Sequence, residues 1–70
     1  MIKYDRIWQT MKEKGISQYD LITEYKVNSA LLHKLRHNLN IEIYTLDKLC
    51  NILDCQIEDI VEHVKDDNLF

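Results

Sequence analysis

Apolar residues return at intervals of three and four along most of this chain: Tyr4, Ile7, Trp8 and Met11, then Leu31, Leu32 and Leu35, then Leu46, Leu49, Cys50 and Leu53, then Ile57, Ile60, Val61 and Val64. This is the period of a helix with one buried face. No proline interrupts the pattern, only one glycine stands among the 70 residues, and no sustained alternation suggests a sheet. The expected fold class is therefore all-α, built from five short helices. A domain this small buries little core per residue, which makes a partner or a second copy a reasonable expectation.

The ends of these helices are written in their capping residues. Gly15 supplies a left-handed stop after the first helix, with Ile16 able to pack back over it. Ser17 is a good N-cap for a short second helix, with Asp20 three residues on as its capping-box partner and Leu21 and Ile22 as its buried side. The run "EYKV" predicts a tight turn, after which Asn28 caps the third helix. "NLNIEI" is a connector, and Glu42 or Thr45 stands near the start of the fourth helix. "DCQ" breaks the pattern before a fifth helix, and "KDDNLF" is expected to fray. The resulting organisation is one domain over residues 1–64 followed by a tail, 65–70.

The formal net charge of −3 is unevenly spread. Residues 25–41 carry Lys26, Lys34 and Arg36 and no acid, whereas residues 42–70 carry two bases against eight acids. Local charge decides what a surface attracts. Cys50 and Cys55 are five positions apart, a spacing that suits neither a CxxC redox motif nor a paired zinc site, so packed, reduced thiols are expected. No apolar run approaches the roughly 20 residues of a membrane span, and no signal peptide is visible. A cytoplasmic protein without a membrane partner is the expectation.

Two short helices joined by a tight turn, the second polar on its outward face, describe a helix-turn-helix. "SQYDLITEYKVNSALLHKLRHN", followed by "TLDKLCNILDC" and closed by "IEDIVE", resembles the Cro and lambda-repressor-like (XRE) helix-turn-helix family, in particular its small single-domain bacterial members. The resemblance spans nearly the whole chain. It implies a five-helix lambda-repressor-like domain acting as a small transcriptional regulator, a repressor that occupies an operator in double-stranded DNA as a homodimer.

Carried over residue by residue, the resemblance puts Ser17 and Gln18 at the start of the second helix, where Gln18 meets a DNA phosphate. Leu21 and Val27 lock the two helices together, and Leu32 and Leu35 form the hidden side of the recognition helix. Asn28, Ser29, Ala30, His33 and Lys34 then face the major groove. Ser29 and Lys34 suit base edges, Lys34 favouring guanine O6 and N7, and Ala30 suits a thymine methyl. Arg36, His37 and Asn38 lie at the helix exit, where phosphate contacts are usual. The chain also departs from the family pattern. Lys26 stands where a glycine is usual, which implies a left-handed backbone at a non-glycine residue. Ile22 replaces a small residue, which implies altered packing, and Glu42 and Gln56 are poor N-caps.

Other readings compete for some of these residues. His33 and His37 lie four apart, also metal-ligand spacing, but "HKLRH" lacks the glutamate of a metalloprotease motif, so no metal is expected. As DNA-facing groups both histidines gain charge as pH falls, so affinity for DNA is expected to rise between about pH 8 and pH 6; a flat titration would remove them from the interface. Tyr4 and Trp8 read as core. Tyr19 and Tyr44 read as exposed and carry no role. Glu58, Asp59 and Glu62 look like a solvated helix face rather than an acid–base pair. With no nucleophile triad and no phosphate loop, neither an enzyme nor a cofactor is expected, and without a sensor domain no small-molecule effector is expected. Ile60, Val64, Leu69 and Phe70 fit either a solvated end of the molecule or an acid-rimmed dimer seam. The runner-up function is a protein-interaction or antitoxin-like module on the same fold, using the acidic C-terminal face.

Overall fold

The computed structural model describes residues 1–67. In chain order they form β1 (Ile2–Lys3), α1 (Arg6–Lys14), α2 (Gln18–Thr23), α3 (Ser29–Arg36), α4 (Ile43–Leu53), a single 3-10 turn (Ile57–Asp59) and β2 (Glu62–His63). β1 and β2 pair antiparallel, with Ile2 opposite His63 and Lys3 opposite Glu62.

The apolar stripes converge as their spacing predicts. Tyr4, Ile7 and Met11 meet Leu21, Leu32, Leu35, Ile41, Leu46, Leu49, Leu53 and Ile60 in one core. α1 packs against α4 and against the 3-10 turn. Trp8 is half-buried at the edge of this core, so it seals the cluster rather than centring it. Ile22 does not enter it. At 42% exposed it points outward, and the packing change expected from its size does not arise.

Local chemistry explains the helix ends. Gly15, at φ 70°, closes α1: its N–H donates to the Lys12 carbonyl and the Ile16 N–H donates to the Met11 carbonyl. α2 opens on a reciprocal capping box, in which Ser17 Oγ accepts from the Asp20 N–H at 3.0 Å and Asp20 Oδ2 accepts from the Ser17 N–H at 2.9 Å. Glu42 precedes α4 without a side-chain cap, as its chemistry suggested.

Two features correct the sequence reading. Among the described residues the all-α helix-turn-helix fold has four α-helices rather than five, and a two-residue antiparallel ribbon, unforeseen in the sequence, joins its two ends. The segment expected to be the fifth helix makes one 3-10 turn and then extends. Its carbonyls are taken by α1: the Arg6 guanidinium donates to the Glu58 carbonyl at 3.1 Å, and Thr10 Oγ1 donates to the Asp59 carbonyl at 2.7 Å. These bonds hold the segment against α1 in place of a further helical turn. The chain beyond them pairs with the N-terminal strand.

As far as Asp66 the C-terminal segment is tied to the N-terminus, and the rest of the tail expected to fray, residues 68–70, lies outside the described residues. Glu62 pairs with Arg6 at 3.3 Å, and Asp66 Oδ2 accepts from the Met1 amino group at 2.6 Å. Ile60 is fully buried in the core, which removes it from any dimer seam. Val64 is half-buried, and its N–H donates to the Met1 carbonyl at 2.8 Å. Leu69 and Phe70, the other residues expected in that seam, lie outside the described residues. Cys50 and Cys55 are free thiols, half-buried at the core edge. Burial pushes both thiols up, Cys55 to about 11 with help from Cys50 and Asp59 nearby, so neither is a ready nucleophile near neutral pH. No helix among the described residues is long and apolar enough to cross a membrane.

Candidate nucleic-acid interface

The unit that presents side chains to a partner is α2, the turn that follows it, and α3. The turn closes when the Val27 N–H donates to the Leu21 carbonyl at 2.9 Å, and Val27 then packs on the core beside buried Leu21. Lys26 makes this closure possible by adopting φ 59°, the left-handed conformation its glycine-like place implied. The Lys26 ammonium donates to the Thr23 carbonyl at 3.2 Å. α3 begins as Asn28 Oδ1 accepts the Leu31 N–H at 2.9 Å. Leu32 and Leu35 anchor its underside, at 1% and 0% exposed.

The opposite side of α3 is open. Ser29, Ala30, His33, Lys34, Arg36 and His37 are all exposed. Ala30, His33, Lys34 and His37 lie away from the buried leucines, with Arg36 at the flank, and no acid lies between residues 25 and 41 to interrupt them. The imidazoles of His33 and His37 pack together, with ring centroids 4.4 Å apart. Among the described residues no group of three or more His, Cys, Asp or Glu side chains is placed to hold a metal ion.

Four of the expected contact residues have other tasks as well. Ser17 and Asn28 use their side-chain oxygens as helix caps. Gln18 is half-buried, and its Oε1 accepts from the Arg36 guanidinium, which ties the start of α2 to the end of α3. Asn38 departs furthest from its expected phosphate-contacting role. It takes φ 54° to terminate α3, the Leu39 N–H donates to the Lys34 carbonyl around it, and its Oδ1 accepts the Tyr4 N–H at 2.9 Å. Asn38 therefore fixes the exit of α3 against the start of α1. Asparagine directly after a helix is a recognised left-handed stop, so "HN" carried that signal in the sequence.

Sequence reasoning also left one basic feature unassigned. A groove of about 370 Å³ runs between α3 and α4, lined by Lys26, Lys34 and Lys48 over Leu31, Leu49 and Ile52. Lys48 sits in the acid-rich part of the sequence, and only the packing of α4 beside α3 brings it to the other two lysines.

Two helices locked at their turn, with the second exposing a basic, acid-free face, define a helix-turn-helix domain of the DNA-binding class. The chain belongs to the Cro/C1-type helix-turn-helix DNA-binding domain family, whose model matches residues 6–66. Its fold is similar to that of the transcriptional regulator VanUg in a crystal structure, with a TM-score of 0.80 at 23% identity, covering 93% of this chain and 87% of that one. No curated protein matches it.

Proposed function

We propose that the protein is a sequence-specific regulator that inserts α3 into the major groove of double-stranded DNA and represses by occupying an operator, as a cytoplasmic homodimer without enzymatic activity. The observation that carries this reading is the exposed face of Ser29, Ala30, His33 and Lys34 on a helix whose underside is fixed in the core. These side chains can reach base edges because buried leucines set the angle of the helix that bears them. Lys34 suits guanine O6 and N7, and Ala30 suits a thymine methyl. Arg36, held beside Gln18, suits the phosphate backbone.

Two copies of such a face, about one helical turn of DNA apart, would double the contacts of a subunit with few bases. Fluorescence anisotropy on random-sequence duplex should show binding that weakens steeply with salt, log K falling by about 0.9 per neutralised phosphate for each decade. Selection from a random library should then return two half-sites about 10 base pairs apart, centre to centre. Binding that is absent at low salt would defeat the reading. A single half-site would defeat the dimer.

A further inference from the structure

We propose that the groove between α3 and α4 is a second grip on DNA, in which Lys26 and Lys48 hold phosphodiesters on the side of α3 away from Arg36. The inference rests on the DNA-binding reading above and adds to it two residues that neither the motif nor the family resemblance selects.

The placement of charge carries the argument. Lys26 comes from the turn, Lys34 from α3 and Lys48 from α4, and all three are exposed around one groove. Among the described residues, no carboxylate lines it, although acids outnumber bases in the chain by 12 to 9. The floor of Leu31, Leu49 and Ile52 gives lysine stems an apolar surface to lie on, and the one bond an ammonium makes here, from Lys26 to the Thr23 carbonyl, is exposed to solvent and leaves further donors free.

Geometry then decides what the groove meets. At 3.6 residues per turn, Lys34 and Arg36 point about 160° apart around α3. The Arg36–Gln18 pair and the lysine groove therefore flank the outward face of the helix on opposite sides. A helix is about 10 Å across with its side chains, and the major groove is about 12 Å wide, bordered by a phosphate ridge on each side. A recognition helix seated there meets both ridges. Arg36 is placed for one, and Lys26 and Lys48 for the other. A lysine approaches phosphate as a mobile point charge, which suits a contact that positions the protein without reading sequence.

The backbone of Lys26 supports the assignment. At φ 59° Lys26 holds a left-handed backbone that a side chain disfavours. Glycine would release that strain, yet this turn carries a lysine, whose ammonium reaches the Thr23 carbonyl and the rim of the groove. Strained backbone of this kind clusters at ligand-binding sites.

The test uses the full chain with Lys26→Gly, Lys48→Gln, their combination, and Lys65→Gln as a charge-matched control away from the groove. Affinity is read by anisotropy on random duplex and on a library-selected operator, from about 0.05 to 0.3 M salt. Each groove variant should lower affinity roughly eightfold near 0.1 M salt and flatten the salt slope by about 0.9, the double variant by about 1.8. Both DNAs should lose the same factor, because phosphate contacts are indifferent to sequence. Lys65→Gln should leave the slope unchanged. Lys26→Gly removes the charge and the exposed bond to the Thr23 carbonyl but relieves the left-handed backbone, so its melting temperature should stay close to wild type while its affinity falls. Melting is followed in every variant, and a loss of DNA binding at an unchanged melting temperature is a loss of contact and not of fold.

Wild-type slopes in both groove variants would overturn the grip and leave the DNA reading intact. An equal effect from Lys65→Gln would assign the loss to net charge and overturn it as well. Loss confined to the operator would mean base contact and not a backbone grip. A wild-type protein that binds no DNA would overturn both readings.

Discussion

Truncating Leu35 to alanine is expected to destabilise the domain by about 2–5 kcal/mol, the usual cost of emptying a fully buried leucine site. Leu35 is 0% exposed and forms, with Leu32, the underside by which α3 is fixed to the core. A chain of this length has roughly 4–10 kcal/mol of total stability, so one such cavity consumes much of it. With each kcal/mol worth about 4–8 °C in a domain of this size, the melting temperature should fall by at least about 8 °C. The comparison is Tyr44→Ala on α4, where the side chain is 76% exposed and the change should stay within about 0.5 kcal/mol. Thermal denaturation followed by circular dichroism separates the two. A Leu35→Ala melting point within about 2 °C of wild type would mean that α3 is not anchored as described. Saturating DNA should recover part of the loss, because a ligand that binds only the folded state draws the equilibrium toward it.

The sequence was most legible where chemistry is local. Gly15, Ser17 with Asp20, and Asn28 each mark a boundary through a bond to a backbone group within four residues, and the structure places those boundaries as their chemistry predicts. The helical stripes revealed the core for the same reason, since a period of three and four identifies the buried face without knowledge of the partner. Lys26 shows how far such reasoning reaches: a position that asks for glycine takes a left-handed backbone even with lysine in it.

Non-local bonds account for what was misread. Ile57, Ile60, Val61 and Val64 keep helical spacing, but Arg6 and Thr10, about fifty residues earlier, capture the Glu58 and Asp59 carbonyls. No window of neighbouring residues contains that competition. β1 and β2 are two residues each, too short to show alternation, and each exists only because the other end of the chain lies beside it. The interface divides along the same line. The open face of α3 followed from helical geometry, whereas the tether from Asn38 to Tyr4 and the convergence of Lys48 with Lys26 and Lys34 required the packed molecule.

Replacing Ala30 by glutamate is expected to abolish most DNA binding while leaving the fold at least as stable. Ala30 is exposed in the first turn of α3, a turn that contains no acidic residue. Helix physics alone would favour an acid there: a carboxylate near a helix N-terminus contributes about 0.3–1 kcal/mol through the macrodipole, which offsets the slightly lower helix propensity of glutamate. The Asn28 cap bonds the Leu31 N–H and is untouched by the change, so no other stabilising contact is lost. Against DNA the same charge would sit between two rows of phosphates, where like-charge juxtaposition costs several kcal/mol. At about 1.4 kcal/mol per decade, affinity should fall by roughly 100-fold or more. The opposed signs make the experiment discriminating. A solvated face of no functional consequence would show the small gain in stability and unchanged DNA affinity. A recognition face shows the gain and loses the DNA, and its natural lack of carboxylates is then a stability contribution forgone so that α3 can approach phosphate.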